Sequence, residues 1–164
     1  ARVKPSDNAR HFAVNLSPSS LADAQFHGWL LDTLDRSAHL AGNLSFELPE
    51  YGASRQLPAL RTLIGALTKR GYGVGLDHFG RGFNPLGYLS GLKLAYIKVD
   101  GRYVHALAQD ADSRYFVSTL REIAHGLDCL LIAEAVEDAE QLAAVSELRL
   151  DGAQGYHLGQ PRAL

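Results

Sequence analysis

Short apolar runs alternate along this chain with longer amphipathic ones, and glycine, proline or aspartate marks most of the junctions. HFAVNLS (His11 to Ser17) predicts a strand. Ser17 and Pro18 then supply a cap and a first helical residue for the segment ending at Arg36, where Leu21, Phe26, Trp29, Leu30 and Leu34 recur at roughly helical spacing. NLSFELPE (43–50) predicts a second strand stopped by Pro49. LPALRTLIGALTKRG (57–71) predicts an amphipathic helix, with Pro58 early and Gly71 just past its end. Strand YGVGLD (72–77) leads into a Gly-rich loop, a short turn around Pro85 to Leu89, and strand LAYIKVD (94–100). Helix SRYFVSTLREIAHGL (113–127), strand CLLIAEAVE (129–137), helix DAEQLAAVSEL (138–148) and the closing segment RLDGAQGY (149–156) complete the set. There is no internal repeat and no low-complexity linker.

Strands that each feed a helix or helical turn predict an α/β fold of parallel strands joined by right-handed crossovers. A doubly wound sheet and a (β/α) barrel both fit that pattern. The polar residues favour the barrel. Asn15, Glu47, Asp77, Lys98, Glu134 and Gln154 each fall at or near the C-terminal end of a different strand, and a barrel gathers such positions on one face, where barrel sites are built. Six strands do not close an eight-stranded barrel, so the first two are expected to be missing from this sequence.

Composition narrows the partners. With 164 residues, 46% hydrophobic and 21% charged, the chain is long enough for one domain with a real core and is not composed like a disordered segment. A formal net charge of -2, without a block of like charges, argues against a long nucleic-acid partner, although a small phosphate ligand needs only a local positive patch. The single cysteine, Cys129, lies in the apolar run CLLIA, which fits a buried small residue and a reducing compartment. No stretch approaches the roughly 18 continuous apolar residues of a membrane span, and the opening ARVKPSDNAR lacks the apolar core of a signal peptide.

Several motifs, in order and with consistent spacing, carry a resemblance over the whole of residues 1–164. They are VNLSP (14–18), FELPE (46–50), LDHFGRGFNPLGYL (76–89), IKVD (97–100), IAEAVEDAEQL (132–142) and QGYHLGQP (154–161). On these the chain resembles the C-terminal two-thirds of an EAL domain, the bacterial cyclic di-GMP phosphodiesterase family, whose fold is a TIM-like (β/α) barrel. The resemblance implies metal-assisted attack of water on one phosphodiester of cyclic di-GMP. It also implies roles. Asn15, Glu47 and Asp77 are similar to the oxygen ligands of a first divalent cation, magnesium or manganese, and Glu134 to a further ligand near a second. Lys98 would neutralise charge on the attacking water or the phosphate, Gln154 would support the water network, and Glu137 would be a nearby acid. Glu50 resembles the glutamate that holds the Gly80–Gly82 loop and links the metal site to dimer contacts. A two-metal mechanism needs separate ligands for each ion.

Departures from the family pattern redirect the expectation. Where active members carry two adjacent acids, this chain reads Asp77-His78, and an imidazole suits zinc or iron better than magnesium. Arg81 replaces a small polar residue between the glycines and can add a phosphate contact. Pro49 stands where a threonine is usual, and Ala135 where a glycine is. The signature Glu-Ala-Leu would lie upstream. The resemblance therefore implies a catalytically degenerate domain of the LapD type, a cyclic di-GMP receptor in biofilm and adhesion signalling that needs no metal. It would be a cytoplasmic module, dimeric, joined to other domains of a parent protein and reaching an inner membrane only through that parent. Two alternatives stay open: an active phosphodiesterase producing the linear dinucleotide pGpG, and an interaction domain that binds neither nucleotide nor metal. Read singly, Asp77 and Lys98 also fit an internal ion pair, Glu47 and Glu134 solvated rim acids, and His78 a loop residue packed under the Gly-rich turn.

Overall fold

The computed structural model describes residues 11–82 and 86–161. By contact density the chain divides into two compact units, the first formed by residues 11–76 and 86–95 and the second by 77–82 and 96–161.

The first unit is built on β1 (Phe12–Asn15) and β2 (Leu44–Pro49), which pair in parallel from Phe12↔Leu44 to Asn15↔Glu47. The start of β3 (Gly73–Phe79) lies next in strand order. β2 is buried along four consecutive residues, as a parallel strand covered on both faces must be. The single helix expected from Pro18 to Arg36 is two pieces. Pro18–Ala22 is a 3-10 turn, and Asp23 then restarts the chain as α1 (Ala24–Arg36) by accepting the Phe26 amide hydrogen at 2.9 Å. An aspartate two turns into an apolar pattern is a second N-cap, and the cap wins over the periodicity. After β2 a short α2 (Glu50–Ala53) precedes α3 (Leu57–Lys69), whose Leu60, Leu63, Ile64 and Leu67 are buried. Of the turn expected around Pro85 to Leu89, Leu86–Leu89 forms a 3-10 turn, while Pro85 lies outside the described residues.

The second unit begins at Asp77, inside β3, and runs on through β4 (Tyr96–Val99), β5 (Leu130–Ala133) and β6 (Gly152–Ala153) in that strand order. β4 and β5 pair in parallel from Tyr96↔Leu130 to Val99↔Ala133, and β5 pairs with β6 through Ile132↔Gly152. Between them come α4 (Gly101–Ala106), α5 (Ala111–Gly126) and α6 (Ala139–Glu147). Each opens on an aspartate, Asp100, Asp110 or Asp138, whose carboxylate accepts amide hydrogens of the first turn. At α6 the cap is reciprocal, because Gln141 also accepts the Glu137 amide hydrogen at 2.8 Å. Ile97, Val99, Val117, Leu120, Leu131, Ala133 and Val136 are wholly buried and form the core. No helix of the described residues is long and apolar enough to cross a membrane.

Candidate functional site

Three strand ends of the second unit deliver its polar residues to one place. Lys98 pairs with Ile132 across β4 and β5, so the strand's two-residue period sets Lys98 and Asp100, and Ile132 and Glu134, on a common face. Asp77 lies near the end of β3, and His78 follows it. The His78 Nδ1 stands 3.1 Å from Glu134 Oε2 and 4.0 Å from Asp100 Oδ2, while its Nε2 stands 3.6 Å from Asp77 Oδ2. The acids are largely buried, with Asp77, Asp100 and Glu134 side chains 11%, 7% and 12% exposed, whereas the imidazole is 44% exposed. One donor atom each from Asp77, His78 and Glu134 fall within 4.8 Å of one another, a grouping that can hold a metal ion.

Backbone conformation places these groups. His78 and Ala135 adopt left-handed φ angles of 53° and 54°, each directly after a carboxylate residue. The Asp77 carboxylate steadies the first by accepting the His78 amide hydrogen at 3.1 Å. The second is an alanine where glycine is the easy choice. We expect Ala135→Gly to raise the unfolding free energy by about 1 kcal/mol, the left-handed penalty less the added chain entropy, measured by urea denaturation.

Burial, the hydrogen bond to Asp77 and the charge of Asp77 push the Glu134 carboxyl up to about 8, against a smaller downward pull from Lys98. Lys98 itself is 7% exposed. Asp100 is spoken for by two cations. Arg102 donates to its Oδ1 from Nε at 3.0 Å and from the backbone at 3.1 Å, and Arg81 Nε lies 3.7 Å from its Oδ2. Arg102 also donates to the Gly80 carbonyl at 2.8 Å, so the loop after His78 is tied to α4. Arg81 is 63% exposed. Gln154 brackets the Glu134–Ala135 turn through its backbone, donating to Ala133 at 2.8 Å and accepting from Val136 at 3.0 Å, with its side chain outward. Glu137 is exposed and serves the α6 cap.

In the first unit the β1–β2 register sets Asn15 directly opposite Glu47, which is 4% exposed. Glu50 is almost wholly buried and accepts the Tyr88 hydroxyl at 2.9 Å. Burial, with the Glu50 carboxylate beside it, pushes the Tyr88 phenol up. Each unit therefore assembles its own share of the expected residues: Asn15 and Glu47 in one, Asp77, Lys98, Glu134 and Gln154 in the other. Sequence reasoning missed the part played by Asp100 and Arg102. The signal was the Asp100-Gly101-Arg102 cap at the end of IKVD. Cys129 is buried, and burial with nearby Asp151 pushes its thiol up to about 12, which removes it as a nucleophile.

The family model of the EAL domain matches residues 1–161. Cyclic di-GMP phosphodiesterase PdeA of Borreliella burgdorferi is 29% identical over 97% of the chain, which spans only 24% of that relative. Among solved structures, the MucR phosphodiesterase of Pseudomonas aeruginosa in complex with c-di-GMP superposes with a TM-score of 0.83 at 30% identity, over 92% of this chain and 61% of that one. LapD of Vibrio cholerae (S helix-GGDEF-EAL, bound to c-di-GMP) gives 0.85 at 27% identity, over 93% and 37% respectively. The fold is that of the TIM-like EAL barrels, and the described residues supply six of its parallel strands.

Proposed function

The chain belongs to the EAL domain family, and from that premise we propose that it is the C-terminal two-thirds of a catalytically degenerate EAL domain that binds cyclic di-GMP as a receptor. The observation that carries this reading is His78. Its ring stands 3.1 Å from Glu134 and 3.6 Å from Asp77, at the position where an active member is expected to hold a second acid. Replacing that acid removes one negative charge from a site built to neutralise a phosphodiester, which weakens a two-metal arrangement while easing the approach of an intact anion.

Asp77, His78 and Glu134 are the residues of the second unit that would hold a divalent ion, and such an ion would polarise the phosphate and activate water. The chain's own cations act on the ligand directly. Lys98 places a buried ammonium near Glu134, and exposed Arg81, on the loop after His78, offers a guanidinium to a phosphate oxygen. The wider reading is a cytoplasmic signalling module, dimeric within a larger parent protein, that reports second-messenger level to biofilm or adhesion machinery.

Incubating the domain, with its flanking segment, with cyclic di-GMP and excess Mg²⁺ or Mn²⁺ tests this. We expect intact nucleotide on the protein. Saturation at 100 times Kd should stabilise the fold by about 2.7 kcal/mol. Steady conversion to the linear dinucleotide makes the domain a phosphodiesterase instead, and the absence of any bound nucleotide makes it an interaction domain.

A further inference from the structure

We propose that Asp77, His78 and Glu134 form a cation site in which the imidazole shifts selectivity from magnesium to a borderline divalent ion such as zinc. The geometry comes first. Three donor atoms lie within 4.8 Å of one another, and the His78 Nδ1 to Glu134 Oε2 distance of 3.1 Å is close to the roughly 3.3 Å that separates two ligands of one tetrahedral zinc. Zinc accepts both donor types, imidazole nitrogen and carboxylate oxygen, and three protein ligands leave a fourth position open, as in catalytic rather than structural zinc sites.

Two independent features show that the arrangement is held at a cost. His78 carries a φ of 53°, in the left-handed region that a residue with a side chain adopts at a cost, and strain of this kind gathers where a side chain must be aimed. Glu134 Oε2 is wholly buried and no donor is aligned on it. The His78 nitrogen beside it is near but not directed along a hydrogen bond, so an acceptor is left without its bond, and a cation is the partner that would supply it. Asp100 does not compete for the role. It lies 4.0 Å from the ring and is already engaged by Arg102 at 3.0 Å and Arg81 at 3.7 Å.

Selectivity follows from the donor types. Magnesium demands a near-octahedral shell of oxygens and gives up water reluctantly. An imidazole in that shell favours zinc, cobalt, nickel or iron. His78 is thus the selectivity-determining ligand, and the acid it replaces would return the site to harder ions. The proposal concerns the metal alone and stands whether or not nucleotide binds.

The test titrates chelator-treated protein with Co²⁺, reading the visible d–d bands, and then adds Zn²⁺ or Mg²⁺. We expect one equivalent of Co²⁺ in a low-symmetry site, displaced by equimolar Zn²⁺ and unmoved by a 100-fold excess of Mg²⁺. His78→Asn, a residue that tolerates positive φ, should weaken Co²⁺ binding at least tenfold with an unchanged circular dichroism spectrum. His78→Asp should bind while losing its resistance to Mg²⁺. Any of three results overturns the proposal: no Co²⁺ bands, displacement from the wild type by Mg²⁺ at parity, or undiminished affinity in His78→Asn, which would put the ion on surface histidines. The Mg²⁺ competition uses wild-type protein, so it decides even if a variant fails to fold.

Discussion

Gly155→Ala should lower the unfolding free energy by roughly 3–5 kcal/mol, enough to leave the chain largely unfolded in mild urea. A methyl group at position 155 would land on the backbone N and O of Val136, atoms that cannot swing aside as a side chain would. Those same atoms are engaged. The Val136 amide donates to the Gln154 carbonyl, and its carbonyl accepts from His157, both at 3.0 Å. The added carbon therefore cannot be accommodated without breaking the clamp that the 154–157 turn places on the segment after Glu134. Gly159→Ala is the control, since nothing lies within 4 Å of its added carbon, and its effect should stay within about 0.5 kcal/mol. Urea midpoints of the two variants side by side provide the check. Equal midpoints would mean that the turn does not close on Val136.

The second large effect is on pH. Glu134 holds its proton to about pH 8 in the folded chain, while in the unfolded chain it loses it near the ordinary carboxyl value. From about pH 4.5 to 8 the folded state binds the extra proton, so stability falls as pH rises across that window. The contribution is present in full below the unfolded value and gone above the folded one. Its size is roughly 2–4 kcal/mol, reduced from the full shift by partial solvent access. Glu134→Gln keeps the shape without the proton. In metal-free buffer it should match the wild type at pH 5 and exceed it at pH 8. Parallel pH profiles for the two proteins would remove desolvation of Glu134 as a stability term.

Much of the fold was legible because parallel strands buried on both faces read as apolar runs punctuated by glycine and aspartate, as at YGVGLD and LSFELP. The limits of β5 were not. Nine residues of CLLIAEAVE look extended, but the strand stops at Ala133 because the chain turns through a left-handed residue at Ala135. α4 escaped notice because its six residues bury only Val104 and so carry no period. In the site, Asp77, Lys98 and Glu134 were found from strand ends alone. Asp100 was not, since it reads as the last residue of a strand, and only the folded chain brings it within 4.0 Å of His78. Likewise, Asp23 hid inside an apolar pattern that looked like continuous helix.

The half-buried pairing of Tyr88 with Glu50 gives the first unit an optical marker of its own. The only tryptophan, Trp29, is 60% exposed on α1, so its fluorescence carries little of the change between packed and unpacked states. Tyr88 is the better witness. Its phenol keeps its proton well into alkali because burial and a neighbouring carboxylate oppose ionisation. Its conversion to phenolate, with the shifted ultraviolet absorption that brings, therefore reports on the packing around Glu50.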